Sequence, residues 1–265
     1  MGQVAIAAKS KPTKKPVKPK TKATLTATQV LDKSIEATGG QANYDKIKTM
    51  VMTGTMELAG MGLKLEMQIF NKMPDKFLVI QKMPQIGEFK QGFDGKVGWS
   101  SDPLNGLREL TGNELVMLKR QSSINSDLKW RETYKKVEMV GVKKLETGNA
   151  YQIRITPITG KPMSQYYDTK TFLPVRADMV VESPQGTIPV EIYLLAWKTV
   201  DGIKVPVKMK AKMSMADMVA NLTDIKTNVS IDDAIFAKPT TESTPEPGAP
   251  SSDRPSDEES ADEPM

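Results

Sequence analysis

The chain has 265 residues, 38% of them hydrophobic, a formal charge of +5, 17 methionines, and neither cysteine nor histidine. Without cysteine there are no disulfides, thiolate nucleophiles, Cys-bound zinc sites or iron–sulfur ligation; without histidine, Ser-His-Asp triads and H-E-x-x-H zinc sites are excluded. No apolar run approaches the roughly 18 to 20 residues of a transmembrane helix, Gly-x-Gly-x-x-Gly does not occur, and Gly160-Lys161 meets Pro162 without Walker A spacing.

Residues 1–27 carry seven lysines and no acid. From Lys9 to Lys20 lysine and proline alternate, a composition that self-repels, buries nothing and stays extended. The expectation is a disordered arm, either solvated or in contact with an anionic membrane or cell wall; without interleaved aromatics it does not suit nucleic acid. Ahead of it, Ala5-Ile6-Ala7 fits the small-x-small pattern of a signal-peptidase site, but too little apolar sequence precedes it to form an h-region. Either the opening is an ordinary alanine-rich start, or a signal peptide lies upstream of the given chain and the protein is exported to the periplasm. At the other end, residues 240–265 are Pro, Ser, Glu and Asp with almost no aliphatic residue, predicting a disordered acidic tail.

Between the tails, Thr28 to Glu36 reads as a helix, with Thr26 or Thr28 as N-cap and Gly39-Gly40 as its stop. A hairpin follows: Met50, Met52, Met56 and Leu58 alternate with Val51, Thr53, Thr55 and Glu57, Gly60-Met61-Gly62 reverses the chain, and Leu63, Leu65, Met67 and Ile69 return. Strands are predicted at Lys76–Met83, Ile86–Phe93 and Lys96–Ser100, the last two joined by Asp94-Gly95 as a type I′ turn. Thr111-Gly112-Asn113-Glu114 reads as a capping box opening a helix, with a second short helix near Ser126 to Tyr134. Strands resume at Lys136–Leu145, Ala150–Thr156, Met163–Asp168, Leu173–Val181, Thr187–Trp197, Ile203–Ser214 and Asp217–Thr227. The class is mainly β, a curved antiparallel meander over residues 28–239.

The cleanest alternation sets Ile203, Val205, Val207, Met209, Ala211, Met213 and Met215 against Lys204, Pro206, Lys208, Lys210, Lys212 and Ser214. The outward lysines suit an anti-aggregation row, and Arg154 and Arg176 fall on polar strand faces and read as solvated. Tyr151, Ile153 and Ile155 repeat the one-sided pattern, as do Ile188, Val190, Ile192 and Leu194. Such strands must bury their apolar face against a second sheet or inside the same sheet rolled up. The predicted helices offer too little apolar surface to cover it. Methionines at inward positions suit a surface that accepts variable partners such as acyl chains, yet a solid core and a cavity wall alternate identically, so both remain open. Asp232-Asp233, Glu57 and Glu66 are the carboxylates available for acid–base work, but nothing fixes their separation.

Five segments carry a resemblance: Ala37-Thr38-Gly39-Gly40; Gln91 to Ser100, read QGFDGKVGWS; Tyr167 to Pro174, read YDTKTFLP; Asp201 to Pro206, read DGIKVP; and Asn228 to Pro239, read NVSIDDAIFAKP. In their order they resemble the bacterial outer-membrane lipoprotein-sorting proteins over about residues 28–239. That resemblance implies an unclosed β barrel of about eleven strands with a short helical lid and a hydrophobic cavity that carries lipid or lipoprotein acyl chains across the periplasm. It implies no catalysis, no cofactor and no metal, a monomer whose partner is lipid or an acylated lipoprotein, and no nucleic acid. The family's carriers hold the lid shut through a buried Arg bonded to backbone carbonyls, and no Arg of this chain aligns with it; nor is there a lipobox cysteine for membrane anchorage. The expected wall comprises Met50, Met52, Met56, Leu65, Met67, Ile69, Phe89, Phe93, Trp99, Ile153, Ile192, Val207, Met209 and Met213, with Phe89, Phe93 and Trp99 sharing one parity. The alternative is a structural or adaptor envelope protein with a filled β core and no ligand.

Overall fold

The computed structural model describes residues 25–60, 62–183, 186–214 and 216–240. The expectations for most of the basic arm, for the acidic tail and for Met215 lie outside the described residues. Helix α1 (Ala27–Thr38) opens on a capping box, in which the Gln29 amide donates to Thr26 Oγ1 at 3.2 Å and the Thr26 amide to Gln29 Oε1 at 2.9 Å. It ends at Gly39, whose φ of 134° and 2.6 Å approach of a built Cβ to the Gly202 carbonyl admit no side chain without rearrangement. The short α2 (Gln41–Tyr44) turns the chain into the sheet.

Thirteen strands are described: β1 (Thr49–Leu58), β2 (Leu63–Lys72), β3 (Lys76–Met83), β4 (Gly87–Phe93), β5 (Gly98–Asp102), β6 (Gly106–Glu109), β7 (Tyr134–Leu145), β8 (Gly148–Pro157), β9 (Met163–Asp168), β10 (Pro174–Ser183), β11 (Gly186–Val200), β12 (Ile203–Met213) and β13 (Asp217–Thr227). They form one antiparallel sheet in the order β6-β5-β4-β3-β2-β1-β13-β12-β11-β10-β9-β8-β7. The chain thus builds outward from β1 to one edge, crosses to the other edge, and meanders back until β13 pairs with β1. The edges β6 and β7 do not pair, so the barrel is open. The crossing is made by α3 (Gly112–Ser122), a 3-10 turn at Ser126–Lys129, and α4 (Trp130–Thr133). Helix α3 packs on β3, β4 and β5, α4 packs on β7, and α1 touches both β7 and β12. A single sheet can present strands that far apart in its order to one helix only if it curls around it.

The mainly β, unclosed architecture agrees with expectation; several local readings do not. The sheet has thirteen strands, and the short polar edge strand β6 has no hydrophobic alternation to reveal it. The Asp94-Gly95 junction is a longer loop, in which Asp94 Oδ1 accepts from the amides of Lys96 and Val97, each at 2.7 Å, a side chain mimicking a backbone turn. The expected capping box of α3 is also absent, since Thr111 makes no side-chain cap. Glu114 instead receives Arg108 of β6 through two bonds of 2.8 and 2.7 Å, a bidentate pair that outcompetes a single cap.

The concave face holds one buried cluster beneath α1 (Val30, Leu31, Trp130, Ile153, Ile155, Met163, Tyr167) and another beneath α3 (Phe77, Phe93, Leu110, Leu118). Strands β1–β5 are also buried on the convex side. There Leu78 and Trp99 pack against Ile231 and Phe236 of the C-terminal segment, with Val51 and Phe70 alongside. This segment is pinned to the sheet by Thr49 Oγ1 donating to the Val229 carbonyl, Lys72 Nζ to that of Ile231 and Trp99 Nε1 to that of Phe236, at 2.6, 2.8 and 2.9 Å.

Candidate functional site

The concave face does not fill. Between α1, the α3–α4 crossing and strands β1, β2 and β9–β13 lies a cavity of about 380 Å³, within the range of small-ligand sites. Met50 and Met52 reach it from β1, Ile69 from β2, Leu194 from β11, Met209 from β12 and Leu222 from β13. Register explains the convergence: Met52 pairs with Ile69 on one side and Ile225 on the other, and Met209 pairs with Leu194 and Ala220. These are cross-strand neighbours on one pleated face. The first turn of β12, Ile203 and Val205, closes the floor with Ile47 and Met50.

Of the fourteen residues expected at the wall, Met50, Met52, Ile69 and Met209 line this cavity. Val207 packs beside them against the Ile47, Met50 and Ile203 cluster. Met56, Leu65, Met67, Phe89 and Met213 share the concave parity but sit nearer the hairpin tips, beyond the cavity. Ile192 lines a neighbouring pocket of about 330 Å³ with Met117, Arg120, Met163 and Met179. Ile153 and Phe93 lie in the solid clusters under α1 and α3. Trp99 is on the opposite face: Phe93 pairs with Gly98 and Gly92 with Trp99, and a two-residue turn would have put Trp99 on that same face, because any even-length loop pairs odd positions with even ones. Arg176 is not solvated either. Its side chain, 18% exposed, bonds Asp178 and Glu191 at 2.5 and 2.6 Å and stacks on Tyr166 and Tyr193 across the outer face.

Strand alternation could not have revealed the side of the cavity built by the crossing. Ile124 and Asp127 come from short turns of the crossing, Trp130 opens α4, Tyr134 opens β7, and Tyr44 comes from α2. Asn71 does lie on a strand. Its buried side-chain amide donates to the carbonyls of Gln121 and Ser122, at 3.3 and 3.2 Å, so an Asn here holds the end of α3 to the sheet through backbone carbonyls. A polar residue interrupting the inward series Leu65, Met67, Ile69 was the available signal.

The electrostatics of the cavity centre on Asp127. Asp127 is an exposed residue whose side chain borders the void, and the protein packed around that void desolvates it. Desolvation raises its pKa above the usual carboxylate value, against the opposing charge of Arg120. Burial likewise pushes the phenols of Tyr44 and Tyr167 up, and that of Tyr134 to about 12, so all three are neutral hydrogen-bonding groups. Among the described residues no three His, Cys, Asp or Glu side chains converge to hold a metal ion. The lining is therefore an apolar wall that also carries one carboxylate, hydroxyls and side-chain amides, with Arg176 and Lys204 at its border.

No protein-family model matches the sequence, and no curated protein matches it. The fold does match solved structures. A DUF1329 family protein from Desulfovibrio piger superposes with a TM-score of 0.56 at 13% identity, covering 80% of this chain and 97% of that one. A putative outer membrane lipoprotein-sorting protein domain from Vibrio parahaemolyticus gives 0.55 at 12% identity, with coverage of 80% and 97%. A LolA superfamily protein from Nitrosomonas europaea gives 0.52 at 14% identity, with coverage of 81% and 99%. At such identities the likeness is one of fold.

Proposed function

We propose that residues 28–239 form a non-catalytic binding domain that takes up lipid or lipoprotein acyl chains in the cavity under the α3–α4 crossing and carries them through the bacterial periplasm. The observation that carries this reading is the unfilled space on the concave face, walled by Met50, Met52, Ile69, Leu194, Met209 and Leu222. Sheets of this size normally pack their inner face solid, and an apolar void is stable chiefly as a site for an apolar guest. Each methylene moved from water to such a wall contributes about 0.8 kcal/mol; ten would contribute about 8 kcal/mol before the costs of association. No polar anchor is needed for useful affinity. The structural likeness to a lipoprotein-sorting domain and a LolA superfamily protein supports the same reading.

Uptake would proceed by movement of the crossing, whose α3 packs on β3, β4 and β5 and whose α4 packs on β7. They are joined to the sheet by short contacts and to each other by a 3-10 turn, the kind of low-stability segment from which lids are drawn. Native mass spectrometry of the protein expressed in bacteria tests the proposal: co-purifying lipid is expected, together with binding of a fluorescent fatty acid that Met209→Glu abolishes without loss of the β-sheet circular dichroism. Wild-type protein that carries no lipid and binds no fatty acid would overturn it.

A further inference from the structure

The polar groups of the cavity are concentrated at one place. Asp127 and Trp130 stand three residues apart where the 3-10 turn passes into α4, a spacing that puts both on one side. Among the described residues the Asp127 carboxylate receives no hydrogen bond and no ion pair, although it lines the cavity. The buried indole Nε1 of Trp130, another lining residue, also has no partner. Native interiors rarely leave a buried group such as this Nε1 unsatisfied, whereas Asp127 is exposed and its carboxylate stands open to whatever occupies the void. A cationic ligand in the void would give the Asp127 carboxylate the partner it lacks.

The surroundings define its chemistry. Tyr44, Tyr134 and Tyr167 line the same cavity, and a carboxylate among aromatic rings favours a cation. A bare cation would, however, feel Arg120, whose charge acts on Asp127. The Arg120 guanidinium is held by the Tyr134 hydroxyl at 3.0 Å and by Met163 Sδ at 3.2 Å. It opens on the neighbouring pocket walled by Met117, Met179 and Ile192. Asp127 beside one apolar space and Arg120 beside the next therefore offer an anion and a cation to a bound molecule. We propose that the site selects amphiphiles with a zwitterionic, ammonium-bearing phosphate headgroup of the phosphoethanolamine class, the ammonium received by Asp127 and the phosphate by Arg120. The proposal rests on the acyl-chain reading above and adds a headgroup to it.

Calorimetry on the full chain, with dihexanoyl phosphatidylethanolamine and dihexanoyl phosphatidylglycerol below their micellar concentrations, provides the test. Both carry the phosphate and the same chains; only the first carries the ammonium. The wild type is expected to bind the ethanolamine lipid about tenfold more tightly, the scale of one charge-assisted contact. Asp127→Asn should bring the two affinities together, and Arg120→Gln should weaken both. On the wild type, which needs no variant to fold, the preference should also shrink as the pH is lowered and Asp127 protonates. The other ionisable residues bordering the site are Tyr44, Tyr134, Tyr167, Lys204 and Arg176, the last with its guanidinium on the outer face, and Arg120 stands beside it. Equal wild-type affinities, or a preference that survives both Asp127→Asn and acidification, would overturn the headgroup assignment while leaving acyl binding intact. Failure of the wild type to bind either lipid would instead remove the acyl-chain reading, and this proposal with it.

Discussion

The amide of Asn71, buried in the middle of the concave wall, donates across 3.2 Å to the main-chain carbonyl of Ser122, the last residue of α3. The last carbonyls of a helix lack intrahelical partners, and here a strand side chain supplies one to Ser122 and another to Gln121. The same contact that ends the helix therefore also fastens the lid. Asn71→Ala removes both donors while leaving the carbonyls half-buried, at a cost of about 1–3 kcal/mol. Because the loss falls on the lid, hydrogen exchange of residues 112–122 should rise more than that of β1 or β13. A fluorescent fatty acid should also exchange faster in stopped flow; unchanged exchange in both measurements would exclude the latch.

On the convex face, Gly92 lies directly beneath the Trp99 indole: a Cβ at position 92 would fall 2.4 Å from two ring carbons. Trp99 is 1% exposed and cannot swing away, since its Nε1 donates to the Phe236 carbonyl. Gly92→Ala should therefore destabilise the fold by about 1–3 kcal/mol, as overpacking of a rigid site does, and release the C-terminal segment. Urea melts followed by tryptophan fluorescence measure the first effect, and limited proteolysis after Lys238 the second.

Most of the sheet could be read from alternation because most strands bury one face. Ile203 to Met213, with apolar residues and lysines in strict succession, is the clearest instance, and its observed strand has the expected start. Where both faces are covered, the pattern fails. Phe77, Leu78, Val79 and Ile80 form a continuous apolar run serving the concave cluster with Phe77 and the convex one with Leu78, and no periodicity announces the C-terminal segment that makes the second burial possible. The cavity was half legible for the same reason. Its strand-borne methionines follow a period of two, whereas Asp127 and Trp130 owe their position to the path of the crossing, which is set by tertiary packing. Trp99 falls on the other face from Phe89 and Phe93 because odd-numbered parity does not carry across a hairpin whose loop has an even number of residues.

Acid should loosen the C-terminal segment. Asp233 is held by Lys72 and Lys76 at 2.6 and 2.7 Å, and their hydrogen bonds lower its pKa from 3.8 to about 2. A carboxylate whose folded pKa is depressed contributes stability that is complete above its unfolded value and is lost as the pH falls through the folded one. The window therefore runs from about pH 4 down to about pH 2. The group is exposed and solvent screening keeps its contribution small, so the comparison must be differential. The stability difference between wild type and Asp233→Asn should be constant above pH 5 and shrink as pH falls to about 2. A difference that is the same at both ends would mean the lysine contacts do not operate in solution.

The distinction between a cavity and a filled core turns on Ala177, a small residue of β10 that borders the void and faces Ile192 and Gln165 across the sheet. In a solid interior, Ala177→Phe would have to displace its neighbours, at about 1–3 kcal/mol or more. Over an open space of about 380 Å³ the ring has somewhere to go. Added apolar contacts then offset the strain, and the unfolding midpoint should move by less than about 1 kcal/mol equivalent. Ligand uptake should respond in the opposite sense. A phenyl ring in the void excludes several methylenes, so fatty-acid affinity should fall at least tenfold, about 1.4 kcal/mol or two methylenes' worth. A variant as stable as wild type with weakened uptake locates the guest at Ala177. A strongly destabilised variant, or a stable one that binds as before, would place the guest elsewhere and leave this part of the concave face a packed core.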